Sequence, residues 1–405
     1  MQQAFIKKIA LLTDGIYPYI MGGMQKHSYY LAKYLVRAGV KVDVYHAIPE
    51  GQPFPEQPEG FSTEELKNLQ FFPVHFPKPG KIPGHYIRNS YLYSKRVYEK
   101  FLKQEPVDFV YIQGFSGWYF LGKRLKVEKF NIPTGINFHG VEMFQKAPSL
   151  RVNLEHLMLR PWIKWNLRHS DIIFSLGGKL TDIQKKPVTP LNKVIEIPIG
   201  ITNEWLINNI PSHTGNIRKF VFIGRYERRK GIEELHSVIK QLIKENYNFQ
   251  FHFIGPVPQS KRLNSNNLLA FSPNNLLAFS PNNLMYHGSI QDEKKIQKIL
   301  QQSDVLVCPS WSEGMPTVIL EAMASGCAII ASDVGAVSEQ VSPENGILIE
   351  PGNKYQLKQA LEKMIQLDNG NLMKMKRNSI QKIKDKFLWE NVAEQTIEAI
   401  RSVGQ

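Results

Sequence analysis

A chain of 405 residues exceeds what one ordinary hydrophobic core holds and fits two domains of typical size. With 42% hydrophobic and 21% charged residues, and no apolar run of about 18 residues, the composition predicts a soluble globular protein and argues against a helical membrane span. The net charge of +14 is uneven: residues 1–200 carry 27 Lys and Arg against 16 Asp and Glu, the remainder 23 against 20. A basic half suits nucleic acid, an anionic membrane surface or solubility alone, and no nucleic-acid module pattern accompanies it.

Apolar runs alternate with helix-period stretches, the pattern of βαβ units on parallel sheets. The first series predicts a strand over Lys8–Thr13, a helix from about Met24 to Ala38, and strands over Val40–His46, Asp108–Ile112, Thr134–Phe138 and Asp171–Ser175. The opening residues read as that first buried strand rather than a signal peptide, because Lys7 and Lys8 interrupt the apolar run. The segment 150–169 mixes Arg151, Arg160, Lys164 and Arg168 with Leu154, Leu157, Trp162 and Trp165, which suits a membrane-surface helix and equally a helix packed on a sheet. Val188–Gly215, with its Pro, Asn, Ser and Thr residues, reads as an inter-domain hinge. The second series runs through Phe220–Gly224, Gln250–Gly255, Val305–Pro309 and Ala328–Ser332, and Phe387–Ile400 reads as a final amphipathic helix. The octapeptide Asn266–Pro273 recurs unchanged as Asn274–Pro281; two short copies are too few for a solenoid and read as a duplication in a surface connection. Cys308 and Cys327 lie in apolar stretches without metal-ligand spacing and read as core residues in a reducing compartment.

The segment richest in chemistry is 313–321, Glu-Gly-Met-Pro-Thr-Val-Ile-Leu-Glu, followed by Ala-Met-Ala-Ser-Gly and an apolar strand reading. Gly314, Met315 and Pro316 mark a loop-to-helix junction, with Pro316 suited to the first helical position. Glu321 then falls about two turns in, on roughly the face of Glu313. The helix N-terminus offers free N–H groups and a positive dipole end to a phosphate. A sugar hydroxyl at one Glu, a ribose at the other and a diphosphate at the amides would use the whole segment.

Glu313 and Glu321 match the Glu-x7-Glu signature, and the chain resembles the retaining glycosyltransferases with two Rossmann-like domains, the GT-B type of glycosyl transferases group 1, which includes bacterial cell-surface glycosyltransferases and sucrose synthase. Three further segments carry the resemblance. Gly22-Gly23 stands between strand and helix, where backbone can approach a phosphate closely; it is neither a Gly-x-Gly-x-x-Gly fingerprint nor a Gly-x4-Gly-Lys phosphate loop, and it matches the family's first loop facing the donor phosphates. Gly224-Arg225-x4-Lys230-Gly231 places a planar fork and a mobile cation after a strand, resembling the family's Gly-Arg-x4-Lys-Gly, whose Arg and Lys bind the donor diphosphate as it leaves. His139-Gly140 follows a strand C-terminus, where open α/β sheets bind ligands, and resembles the family's His-Gly step with the His on the donor sugar. Ser175 matches a further family position after the Asp-x-Ile-Ile strand.

The resemblance implies an α/β fold of two Rossmann-like domains facing each other across a cleft: residues 1–195 binding the acceptor, 196–385 binding the donor, and 386–405 a helix crossing back to the first domain. It implies a retaining, metal-independent hexosyltransferase that needs no cofactor and moves a sugar from a UDP-, GDP- or ADP-sugar to a saccharide or lipid-linked acceptor, in cell-surface polysaccharide or glycolipid synthesis. Arg225 and Lys230 would take the diphosphate, Glu321 the ribose and Glu313 the sugar hydroxyls. Residues 197–202, Ile-Pro-Ile-Gly-Ile-Thr, depart from the family's Pro-Asn-Gly-Val-Asp, and 254–258 lack a second glycine, so no base or sugar preference is implied. A nucleotide-sugar 2-epimerase of the same fold and a non-catalytic sugar-nucleotide binding protein stay open as alternatives. The expected location is cytoplasmic, with the basic N-terminal half as the place for any peripheral contact with the inner membrane surface.

Overall fold

The computed structural model describes residues 6–20, 22–53, 58–80, 84–126, 132–147, 149–187, 193–211, 217–263 and 283–403. The Asn266–Pro281 duplication and parts of the 188–215 hinge lie outside the described residues. The chain divides into two compact units, one of Met1–Phe144, Leu150–Gly200 and Trp389–Gln405, the other of Gln145–Ser149 and Ile201–Leu388. The crossings after Gly200 and after Leu388 fall a few residues later than the sequence reading places its boundaries, and the short excursion Gln145–Ser149 is not in that reading. The local reason is pairing: Ile201 bridges Leu388 in parallel, and the Ile201 amide donates to the Phe387 carbonyl at 2.7 Å, so these residues belong to one unit.

The first unit is built on seven parallel strands: β1 Lys8–Leu12, β2 Lys41–Pro49, β3 Leu69–Phe76, β4 Phe109–Gln113, β5 Thr134–Asn137, β6 Ile172–Ser175 and β7 Val194–Glu196. They lie in the order β3-β2-β1-β4-β5-β6-β7. Ile9, Ala10, Leu11 and Leu12 are all buried, as expected of a central strand covered on both faces. Helices α1 Gly23–Arg37, α2 Thr63–Leu66, α3 His85–Phe101, α4 Trp118–Arg124, α5 Leu150–His169 and α6 Lys179–Lys185 fill the connections. The C-terminal helix Trp389–Arg401 packs on α1, its Trp389 ring stacked 5.9 Å from Tyr30 and 6.1 Å from Tyr34. Strand β3, Leu-Gln-Phe-Phe-Pro-Val-His-Phe, is absent from the sequence reading because Pro73 weakens its strand signal; at the sheet edge a missing N–H is tolerated.

The second unit holds β8 Arg218–Ile223, α7 Ile232–Lys244, β9 Phe249–Ile254, β10 Leu284–Gly288, α8 Glu293–Gln301, β11 Val305–Cys308, α9 Thr317–Ala324, β12 Ala328–Ser332 and β13 Gly346–Ile349, with helices Lys354–Gln366 and Asn369–Lys382 following. Its six strands are parallel in the order β10-β9-β8-β11-β12-β13. Phe220, Phe222, Phe249, Phe251 and Phe253 pack with Leu235, Ile239 and Leu242 of α7 into one buried core. The order of both sheets changes direction beside the first strand of the unit, between β1 and β4 and between β8 and β11. In open α/β sheets such a switch point, at the strand C-termini, is where ligands bind.

Candidate functional site

At the switch point of the second unit, the loops leaving β8 and β11 are tied together. After β8 the backbone runs through a 3-10 turn, Arg228–Lys230, into Gly231 at φ 69°, and α7 begins at Ile232. The Trp311 amide donates to the Arg229 carbonyl at 2.8 Å. Gly231 is required here: its left-handed backbone disfavours any Cβ, and a Cβ would overlap the Pro309 carbonyl oxygen. Because the loops approach so closely, Lys230 Nζ reaches Glu313 Oε1 at 2.6 Å. Arg229 Nη1 lies 3.3 Å from the other carboxylate oxygen and donates to the Ser312 carbonyl at 3.1 Å. Ser310 Oγ donates to Glu313 Oε1 at 2.8 Å, and Gln145 Nε2 donates to the Glu313 carbonyl at 2.7 Å. Glu313 is buried and two cations face it, which is how a buried charge is tolerated.

The structure corrects the helix geometry of this segment. Pro316 is the N-cap, with extended ψ of 118°, and α9 starts at Thr317. Glu321 is therefore one turn into the helix rather than two, and Glu313 lies outside it. What aims Glu313 is the loop, not helical periodicity. Gly335, at φ 56°, holds that loop from the far side: a Cβ there would strike the Glu313 and Gly314 carbonyl oxygens, while the Ala336 amide donates to Gly314 at 2.8 Å. Met315 and Pro316 complete the turn, Met315 buried. Gly224 directly follows β8, its amide donating to the Ile254 carbonyl at 2.9 Å. Arg225 is not drawn to Glu313; it projects with its side chain 69% exposed and pairs with Glu227 at 3.1 Å. The sequence reading did not single out Arg229, Ser310 or Gly335. Arg229 stood inside the cationic run, but no spacing rule distinguished it from Arg228, which instead pairs with Glu234 of α7.

In the first unit the corresponding switch point is built mainly of neutral groups around one carboxyl, Asp14. Thr13, after β1, shares a hydrogen bond of 2.8 Å with Ser28 of α1, and Ser28 Oγ donates to Gln113 Oε1 of β4 at 2.6 Å. Gly22 caps α1, which begins at Gly23, one residue before the predicted start at about Met24; φ at Gly22 is 173°, ordinary extended backbone, and no heavy atom stands within 4 Å of a Cβ built on Gly23. Asp14 beside them hydrogen-bonds Gln25 Nε2 at 3.0 Å, and burial pushes its carboxyl up to about 6. His139 follows β5 at φ 56°, its amide donating to Asn137 Oδ1 at 2.7 Å. Its ring packs edge-on, 4.6 Å from His27 of α1. Neither His27 nitrogen nor His139 Nε2 has a hydrogen-bond partner among the described residues. Burial lowers the His139 pKa to about 3 and holds His27 well below its ordinary value, with His139 adding to the effect on His27, so both rings are neutral. Ser175 is a local brace, bonded to Thr181 Oγ1 at 2.7 Å and accepting from the Gly177 amide.

Two family models match the chain. One, described as glycosyl transferases group 1, spans residues 217–367; the other, described as glycosyltransferase family 4, spans residues 21–203. An uncharacterized glycosyltransferase of Methanocaldococcus jannaschii is 23% identical over 405 residues, covering 96% of this chain and 97% of the relative. Among solved structures, sucrose-phosphate synthase from Thermosynechococcus elongatus superposes with a TM-score of 0.74 at 19% identity, covering 98% and 99% of the two chains. An E. coli trehalose-6-phosphate structure bound with UDP-2-fluoro glucose gives a TM-score of 0.70 at 13% identity, again covering 98% and 99%. At such identities the structural likeness shows the fold, and the family models and the relative carry the rest. The chain belongs to the glycosyl transferases group 1 and is a glycosyltransferase with two Rossmann-like domains of the GT-B type.

Proposed function

We propose that the protein transfers a hexosyl group from a nucleoside-diphosphate sugar to a saccharide or lipid-linked hydroxyl with retention of anomeric configuration, in polysaccharide or glycolipid synthesis. The observation that carries this reading is the contact of Lys230 with Glu313 at 2.6 Å at the β8/β11 switch point. There a carboxylate able to accept from sugar hydroxyls stands beside cations able to meet a diphosphate. In the reaction the bond from the anomeric carbon to the diphosphate oxygen breaks, a bond to the acceptor oxygen forms, and the acceptor proton leaves with the nucleoside diphosphate. Lys230, with Arg225 swinging from its exposed position, would stabilise charge growing on the diphosphate, so this reading assigns no role to a metal. Glu313 would orient the sugar, Glu321 the ribose, and the amides of Gly314 and Met315 the phosphate. On the acceptor-domain side, Gly22, Gly23 and His139 are the proposed donor-facing groups. His139 would act as a neutral hydrogen-bonding ring, since burial denies it a proton at neutral pH. The E. coli structure bound with UDP-2-fluoro glucose shares this fold, which supports a nucleotide-sugar donor.

A panel of UDP-, GDP- and ADP-sugars, read by hydrolysis and thermal shift, identifies the donor. With that donor, Glu313→Ala and Lys230→Ala are each expected to lower turnover at least about a hundredfold, the scale lost on removing one key electrostatic contact. Near wild-type turnover in either variant refutes the site assignment. Interconversion of the nucleotide sugar without an acceptor would replace transfer with epimerisation.

A further inference from the structure

Helix α5, Leu150–His169, is apolar on two opposite sides. Ile163 and Leu167, with the polar Asn166, are buried. On the other side Leu150 is 85% exposed and Leu154 65%, and Leu157, Met158 and Trp162 are exposed as well. Their spacing places all five on one face of the helix, where a surface helix ordinarily carries polar residues. This stripe continues onto its neighbours. The Trp162 ring packs 5.1 Å from Trp118 of α4, and Trp118 packs 5.2 Å from Tyr91 of α3. Tyr91 and Tyr86 of α3 are themselves exposed. The exposed leucines and methionine of α5 are thus joined, through the buried Trp118 ring, to Trp162 and Tyr91 as exposed aromatic residues at one margin.

Charge on these helices has one sign. Together α3, α4 and α5 contain ten Lys and Arg against two Glu. Glu155 and Glu99 are each engaged by a neighbouring cation, Arg151 at 3.2 Å and Lys95 at 3.8 Å. Lys164 and Arg168 stand exposed further along α5. An aliphatic stripe flanked by amphipathic aromatic rings and cations is the composition that lies in the plane of a lipid surface: the stripe enters the acyl boundary, the rings sit at headgroup level, and the cations meet anionic headgroups.

We propose that α5, with the aromatic margin supplied by α3 and α4, docks the protein on the surface of a bilayer containing anionic lipid. The inference is independent of the charged cluster around Glu313 that carries the proposed function. It is tested with the full chain by flotation with phosphatidylcholine vesicles containing or lacking phosphatidylglycerol. Wild type is expected to float with the anionic vesicles. Leu154→Ser/Leu157→Ser/Met158→Ser is expected to lower the partition coefficient at least about tenfold, and Arg151→Gln/Lys164→Gln/Arg168→Gln to abolish the preference for anionic vesicles. A wild type that does not float, or a triple-serine variant that floats equally well, overturns the proposal. So does a dimer, seen by analytical ultracentrifugation, that the triple-serine variant dissociates while neither form binds vesicles. A second readout needs only one substitution: a polarity-sensitive fluorophore on Leu154→Cys, Cys308 and Cys327 being buried, should shift to the blue on anionic vesicles, and an unshifted spectrum counts equally against docking.

Discussion

The two switch points share a topology and differ in chemistry. Between β1 and β4, Thr13, Ser28 and Gln113 close the gap with neutral hydrogen bonds, and the nearby imidazoles of His27 and His139 are kept uncharged by burial. Between β8 and β11, Lys230 and Arg229 converge on the buried carboxylate of Glu313. The neutral network holds Thr13 and Ser28 without a charged partner, while Gln113 Nε2 and both His27 nitrogens lack partners among the described residues. The cluster around Glu313 is charged throughout, with Arg229 shared between Glu313 and Glu227, and it presents cations with which an anionic group can pair. The same arrangement of strands therefore gives one place held mainly by neutral hydrogen bonds and another where opposite charges converge.

The strongest way to break this contrast is to move the charged cluster without removing a charge. Gly335→Ala would do so, because the left-handed backbone costs about 1–2 kcal/mol for a residue with a Cβ and the new methyl group would strike the Glu313 and Gly314 carbonyls. A lowered unfolding midpoint is expected, together with a fall in turnover of about a hundredfold, the scale of an ångström-level misplacement. A destabilised variant that keeps full turnover would show that the loop's position does not matter to the chemistry.

That prediction also marks where sequence reasoning stops. The parallel α/β architecture was legible because buried strands write themselves as unbroken apolar runs, such as Ile9–Leu12 and Val305–Cys308. Glu313, Lys230 and Gly224 were legible because they sit in short segments bounded by strand ends and glycines. Helical spacing misled in one respect: it put Glu313 and Glu321 on one helix face, whereas Glu313 belongs to the loop before α9. Arg229, Ser310 and Gly335 were invisible for a different reason. The roles of Arg229 and Gly335 depend on how closely the β8 and β11 loops approach each other and on what braces the second from behind, and separations of 84 and 22 residues from Glu313 carry no local pattern, while Ser310 acts within its own loop through a turn that no helical or strand period marks. The outward stripe on α5 was legible as composition, but only exposure separates it from the side packed inward.

A finer test separates the two arginines of the β8 loop. Arg229 touches Glu313, so Arg229→Ala should reduce stability by about 1–2 kcal/mol, the value of a hydrogen bond to a charged group, and reduce turnover with it. Arg225 is exposed and pairs with Glu227, so Arg225→Ala should leave the unfolding free energy within about 0.5 kcal/mol of wild type. If Arg225 meets the diphosphate, its loss should still weaken nucleoside-diphosphate affinity roughly tenfold, measured by calorimetry. Equal effects of both variants on stability and affinity would erase the distinction between a positioning arginine and a ligand-binding one.

The smallest effect probes the neutral side. His27 is buried against His139 and Trp389, with ring centroids at 4.6 and 5.2 Å, and both its nitrogens lack partners among the described residues. Its pKa in the folded protein lies well below 6.5. As pH falls through 6.5, the unfolded chain takes up a proton that the folded protein refuses, so stability is full above that pH and is lost progressively below it. Each pH unit in that window costs about 1.4 kcal/mol per histidine. His139, at about 3 when folded, contributes with the same sign. His27→Phe keeps a ring of similar shape against Trp389 and removes one titrating group. The slope of unfolding free energy against pH, from urea titrations between about pH 6 and 4, should fall by about 1.4 kcal/mol per pH unit. An unchanged slope would mean that His27 is protonated in the folded protein, and a charged imidazole there would make the first switch point a cationic site like the second.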